Sequence, residues 1–230
     1  MSSVIFELKN VMYSYKVKTG ANVNVIRNAT CTFESGKIYA IQSIKESGKS
    51  TLLKIMAGLD RPDSGEILYN GENIAEWDSY VYRKTMTALA LSGMDLIERY
   101  TVMDHILAQL DVSCPEKTDK HGQMAKEILS DTGIDKSLYN KKANRLDGYN
   151  RQVLRLARAL ATFGNVILFD DVDLELSKEE TGKFLELIRR IAREKEKCII
   201  FTTESPLTAM EADEIYTVNR GTVIKIKKVG

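Results

Sequence analysis

The sequence predicts an α/β fold with a mainly parallel sheet and a helical insertion. Three observations carry that expectation. An apolar segment at 37–41 runs into Ser43-Ile44-Lys45-Glu46-Ser47-Gly48-Lys49-Ser50-Thr51 and leaves through an apolar stretch at 51–57 that Gly58 stops. A second apolar run, Val166-Ile167-Leu168-Phe169, ends in Asp170-Asp171. From there strand-like and helix-like segments alternate, the pattern of a parallel sheet crossed by helices.

Each element follows in chain order. Apolar and β-branched residues at 4–9, 12–17, 22–26 and 30–33 read as short strands. The segment 37–41 reads as a buried strand and 51–57 as the helix after it. From about 101 to 160 the pattern is mainly helical, an insertion into the core. Val166–Phe169 is a buried strand and Lys178–Glu194 a helix, with Phe184, Leu187, Ile188 and Ile191 on one core face. Its tail, Arg189 to Lys197, is a solvated face of mixed charge. Cys198–Thr203 is a strand, 207–212 a helix, and 214–218 with 223–227 a hairpin turning at Asn219-Arg220-Gly221.

Composition excludes more than it assigns. The 230 residues suit one or two domains and allow a sizeable core. With 33 basic against 32 acidic residues, charge favours neither nucleic acid nor an anionic lipid surface. No apolar run approaches the roughly 18–20 residues of a spanning helix, so direct membrane insertion is not expected. The N-terminus lacks the basic and apolar blocks of a signal peptide. Cys31, Cys114 and Cys198 are odd in number and lack metal-ligand spacing, as expected of reduced, packed thiols in a cytosolic protein.

The loop carries the chemistry. Gly48, Lys49 and Ser50 fit the end of G-x-x-x-x-G-K-[ST], whose backbone N–H groups cradle phosphates at a helix N-terminus. Lys49 would reach the β- and γ-phosphates of ATP and the Ser50 hydroxyl would bind Mg²⁺. The first glycine position holds Ser43, and Glu46 places an acid inside the turn. A polar helix cap is the plainer alternative for Ser47–Thr51. Asp170 ends a buried strand where ligands bind in open α/β folds, and would hold Mg²⁺ through water; an acid merely surfacing at a strand end is the alternative.

With these residues in view, the chain resembles the ATP-binding cassettes of ABC-type transporters over nearly its whole length. Ala57-Gly58-Leu59-Asp60-Arg61-Pro62-Asp63-Ser64-Gly65-Glu66-Ile67 and Asn70-Gly71 are similar to the segment after the phosphate loop in that family. Leu146-Asp147-Gly148-Tyr149-Asn150-Arg151-Gln152 stands where the family carries L-S-G-G-Q. Thr101-Val102-Met103-Asp104-His105-Ile106 resembles the start of its helical subdomain. Within the family the chain is most similar to small cassettes of bacterial export and peptide-resistance systems.

The resemblance implies one nucleotide-binding domain over 1–230: a P-loop RecA-like core and an antiparallel β subdomain at about 1–91 and 161–230, with a helical subdomain at about 92–160. It also implies ATP and Mg²⁺ as cofactors, a head-to-tail dimer with a second cassette, and docking on transmembrane permease subunits at the cytoplasmic face. By residue it assigns phosphate contacts to Ser43, Ser47, Gly48, Lys49, Ser50 and Thr51. It assigns adenine stacking to Tyr15, Mg²⁺ to Ser50, Ser92 and Asp170, and contacts to the other subunit's nucleotide to Asp147, Gly148, Tyr149 and Asn150.

The departures from the family cluster on chemistry. Its glutamine becomes Ser92, too short to reach across. Its catalytic glutamate becomes Asp171, withdrawn by one methylene; a displacement of about 1 Å costs on the order of 10²-fold in rate. Its switch histidine becomes Glu204, and the aspartate ending the following loop becomes Ser177. Glu46, Asp147 and Glu204 each add a negative group beside phosphate, with Lys45 offsetting one. Three readings follow: a cassette that binds ATP with hydrolysis weak or lost, a slow Mg-ATPase homodimer using Asp171 with Glu204 as an unusual base, or an interaction module without nucleotide. Leu91 to Ile106, with Met94, Leu96, Ile97, Tyr100, Val102 and Met103, is either a groove for a membrane subunit's helix or ordinary packing.

Overall fold

A computed structural model describes residues 3–16, 22–43, 47–92 and 96–226. Lys45, Glu46 and Met94 lie outside the described residues.

The chain opens with two long antiparallel strands, β1 (Val4–Lys16) and β2 (Asn22–Glu34), where four short ones were expected. The polar interruptions at Lys9-Asn10 and Arg27-Asn28 resemble breaks in the pattern. Instead each strand continues, and register shifts between Leu8 and Val11 and between Val11 and Tyr13 absorb the irregularity as bulges. β3 (Ile38–Gln42) precedes α1 (Lys49–Met56). Then come β4 (Ser64–Tyr69), β5 (Glu72–Asn73), α2 (Ser79–Thr85) and β6 (Thr87–Ala90). α3 (Val102–Ser113), α4 (His121–Thr132) and α5 (Gly148–Leu160) lie between β6 and β7 (Val166–Phe169). The chain ends through α6 (Lys178–Glu194), β8 (Cys198–Thr203), α7 (Pro206–Met210), β9 (Glu214–Asn219) and β10 (Thr222–Ile226).

One ten-stranded sheet orders these as β5-β4-β1-β2-β10-β9-β3-β8-β7-β6. β9, β3, β8, β7 and β6 are parallel, while β1, β2, β4 and β5 are antiparallel. The expected parallel core and antiparallel N-terminal sheet are therefore both present, joined where β10 meets β2.

Side-chain alternation divides the core in two, because successive strand residues face opposite sides. Ile38, Ala40, Ile167, Phe169, Ile199 and Phe201 face α3 to α6. Tyr39, Ile41, Val166, Leu168, Cys198 and Ile200 face α1 and the antiparallel sheet. Strands buried on both faces read as unbroken apolar runs. Among the described residues no helix is long and apolar enough to cross a membrane.

The groove expected along Leu91 to Ile106 divides. Val102 and Ile106 are fully buried, Leu96 and Met103 pack against the core, and Ile97 is exposed.

Candidate functional site

Parallel strands present their C-terminal ends along one edge, and four of those ends build the site. β3 delivers Ser43 and the phosphate loop, β7 delivers Asp170 and Asp171, β8 delivers Glu204, and β6 leads to Ser92.

At the loop, Gly48 has φ 97°, and a Cβ there would meet Val25 Cγ1 at 2.8 Å, so both conformation and space call for glycine. It opens α1, whose N-terminus has no side-chain cap and no acid in its first turn. The amide hydrogens there are available to an anion. The Ser47 hydroxyl is buried and has no partner among the described residues. Buried polar atoms seldom stay unsatisfied, so this cradle fits a phosphate group.

Tyr15, Ser47, Gly48, Lys49, Ser50 and Thr51 line one cleft of about 780 Å³. Val23 to Val25 and the β9–β10 turn at Asn219-Arg220-Gly221 close its other side. Tyr15 is half exposed on that wall. Sequence reasoning placed the turn but not its proximity to the loop, which only the strand order sets.

Ser43 lies beneath the cleft. Its hydroxyl donates to the Val218 carbonyl at 2.7 Å and its own carbonyl accepts from Lys49 Nζ at 3.0 Å. The serine at the first glycine position is thus tied to the neighbouring strand. Lys49 is nearly buried and has a second contact, Glu204 Oε1 at 3.5 Å.

Ser50, Ser92, Asp170 and Asp171 form one cluster. Asp170, 3% exposed, accepts from Ser50 Oγ at 3.2 Å, Ser92 Oγ at 3.2 Å and Thr202 Oγ1 at 2.8 Å. Asp171 Oδ2 faces the same Ser92 hydroxyl at 3.2 Å. Its backbone is left-handed, with φ 49°, and its N–H donates to Thr202 Oγ1 at 2.8 Å. Burial first, and the Asp170 charge second, push the Asp171 carboxyl upward, with Lys49 and Ser92 acting the other way. Two hydroxyls and a carboxylate beside the phosphate loop suit a divalent cation, which Ser50, Ser92 and Asp170 could hold.

Asp147, Gly148, Tyr149 and Asn150 stand apart from that cleft, at the start of α5. The Asp147 carboxylate caps the helix, accepting from Asn150 N at 2.8 Å and from Asn150 Nδ2 at 2.9 Å. The extra acid expected to face an opposing phosphate is therefore satisfied within its own chain. Tyr149 turns partly inward onto the core, where burial pushes its hydroxyl pKa upward.

Several contributors escaped the sequence reading. Thr202 bonds both acids. Arg155, buried, donates to Gln152 Oε1 at 2.6 Å, Ala90 O at 3.1 Å and Asp170 O at 3.2 Å, which joins α5 to the ends of β6 and β7. Asp173 accepts from Thr203 Oγ1 at 2.7 Å and Thr208 Oγ1 at 2.9 Å, which fixes the corner carrying Glu204. The available signal was polar residues at the ends of otherwise apolar strands.

A family model described as ABC transporter matches residues 26–173. The methionine import ATP-binding protein MetN of Staphylococcus haemolyticus is 28% identical over 98% of this chain and 66% of its own length. The macrolide export ATP-binding/permease protein MacB of Haemophilus ducreyi is 30% identical over 97% of this chain and 32% of its own. The chain thus spans about two thirds of one and a third of the other. These relatives include import and export systems, not export alone. The dimeric structure of the bacterial ABC transporter cassette MJ0796 superposes with a TM-score of 0.85 at 23% identity, covering 97% of this chain and all of that one, and shares its RecA-like P-loop fold. On the family match and the architecture together, the chain belongs to the ABC transporter family, as one of its nucleotide-binding cassettes.

Proposed function

We propose that this chain is a cassette that binds Mg-ATP with hydrolysis weak or lost, and serves as the structural or regulatory half of a dimer docked on transmembrane permease subunits. It would act at the cytoplasmic face of a membrane. The observation that carries this reading is a division within the site: the phosphate cradle is open, while the reacting end is occupied by side chains bonded to each other. Ser47 and the first turn of α1 are uncapped. Lys49 meets Glu204, and Ser92 bridges Asp170 and Asp171.

Ser47 to Thr51 would hold the phosphates, Tyr15 would stack on adenine, and Ser50, Ser92 and Asp170 would hold Mg²⁺. The bound nucleotide supplies the phosphoryl group whose hydrolysis powers transport in the family. Efficient hydrolysis needs a base that positions water and preorganised donors facing the developing charge; loss of one such donor costs about 10²–10³ in rate. Here the carboxylate of Asp171 is short and turned to Ser92, and Glu204 offers an acceptor where a donor is needed.

One observation favours a slow ATPase instead. A carboxyl pushed upward by burial is a better proton acceptor than an ordinary aspartate, and Asp171 is such a group. Nucleotide titration with and without Mg²⁺, alongside phosphate release by wild type and Lys49→Ala, separates the readings. Saturable binding with equal, background release in both proteins supports the proposal. Release that Lys49→Ala abolishes supports the slow enzyme, and absence of saturable binding removes both. Mixing the chain with a complete cassette tests the dimer: unchanged ATPase rate and no association count against it.

A further inference from the structure

The backbone on either side of Glu204 is anchored, while its side chain is half exposed. Behind it, Thr203 is fully buried and its hydroxyl donates to Asp173 while accepting the Ser205 N–H at 3.0 Å. Ahead of it, Ser205 caps α7 by accepting the Thr208 N–H at 3.2 Å. From this corner the carboxylate reaches Lys49 Nζ at 3.5 Å. The Lys49 side chain is 7% exposed, and among the described residues its other hydrogen-bond partner is the Ser43 carbonyl.

The electrostatics of that arrangement are uneven along a bound polyphosphate. The phosphates nearest the nucleoside are held by backbone N–H groups of the loop and the positive end of α1, neither of which involves Glu204. The lysine reaches both the β- and the γ-phosphate and already faces a carboxylate, so a diphosphate meets Glu204 through one phosphate and a triphosphate through two. The Asp170 carboxylate adds negative charge on the same edge, beside Ser50 and Ser92. A triphosphate brings one more negative charge than a diphosphate and must displace Glu204 to use the ammonium; a diphosphate meets less of this opposition.

Building on the nucleotide-binding reading above, we propose that the site is selective for a nucleoside diphosphate over the triphosphate. Glu204 is the residue that sets the selectivity, by holding Lys49 as a built-in stand-in for the terminal phosphate. The cassette would rest in a product-like state, and its exchange of ADP for ATP would depend on moving one side chain.

The test is equilibrium binding of ADP and of ATP to the full chain, in EDTA and in Mg²⁺, for wild type, Glu204→Gln and Glu204→Ala. Thermal unfolding of each variant verifies the fold. Wild type should bind ADP more tightly than ATP. Both variants should shift the ATP-to-ADP dissociation ratio toward ATP by about tenfold, mainly through ATP, as expected for release of one close charge pair. ATP bound as tightly as ADP by wild type, or a ratio changed less than about twofold in folded variants that still bind both, overturns the selectivity alone. Saturable binding of neither nucleotide overturns it together with the reading it rests on.

Discussion

A side-chain carbon on Gly148 would lie 2.5 Å from the Glu175 carbonyl oxygen. The first turn of α5 thus abuts the loop that follows Asp171, and the contact is backbone against backbone. Gly148→Ala must push that loop away, since a carbonyl cannot rotate aside as a side chain would. Overpacking of this kind typically costs about 1–3 kcal/mol. Denaturant unfolding should show a lower midpoint with an unchanged slope. Gly182 is the control: it lies inside α6 with nothing within 4 Å of an added Cβ. Gly182→Ala should stabilise by roughly 0.5–1 kcal/mol.

Arg155 joins the helical insertion to the sheet. Its guanidinium lies 4.6 Å from the Phe169 ring centroid and donates to the carbonyls of Ala90 and Asp170. Arg155→Met removes the guanidinium donor to Asp170 O and Gln152 Oε1, while Ala90 O keeps the Asp170 N–H at 2.8 Å. Unsatisfied buried acceptors cost about 1–3 kcal/mol each, so a loss on the order of 3 kcal/mol in chemical unfolding is expected. Arg155→Lys should recover only part of it, because a single ammonium cannot reproduce the planar fork.

The three cysteines should be inert while the chain is folded. Cys31, Cys114 and Cys198 are free and buried. Burial pushes the Cys31 thiol up to about 12, and raises Cys114 and Cys198 as well. Because the thiolate is the reactive species, a disulfide reagent at pH 8 should label none of them in native protein. All three should react in denaturant, with labelling rates in intermediate conditions following unfolding. Rapid labelling of one thiol in the native state would contradict this packing.

What the sequence made legible was local. β7, β8 and α6 begin and end where their patterns do, since unbroken apolar runs mark strands buried on both faces and Ser177 with Glu180 forms a capping box. The short β6, made of threonine, alanine and leucine, carries no such mark. Lys49, Ser50 and Asp170 stand out in the sequence because each sits in a recognisable motif. Thr202 and Arg155 do not, because their bonds to the acids cross a sheet order that no short window encodes. The spacing of Asp147 to Asn150 also suits a helix cap, and the structure shows that cap.

Ser92 stands between two acids with one hydrogen to give. Its Oγ is 3.2 Å from Asp170 Oδ2 and 3.2 Å from Asp171 Oδ2, so two ionised carboxylates cannot both be satisfied by it. A proton on Asp171 resolves the conflict: Asp171 donates to Ser92, and Ser92 donates to Asp170, which Ser50 and Thr202 already hold. This arrangement agrees with the upward push on Asp171 from burial and the Asp170 charge. The sign of the linkage follows. Asp171 titrates above its unfolded value of 3.8, so the folded chain binds the extra proton. Its stabilising contribution is complete below pH 3.8 and is lost as pH rises through the folded value. Above the folded value the ionised group is therefore a cost, and Asp171→Asn, which supplies a donor toward Ser92 without the charge, should raise Tm most at the upper end of the pH range. The gain should shrink as pH is lowered toward 4, in thermal unfolding of both proteins across pH 4–8. A gain independent of pH would place its origin in packing; a loss at pH 7 would mean that the carboxylate is a needed partner of Lys49.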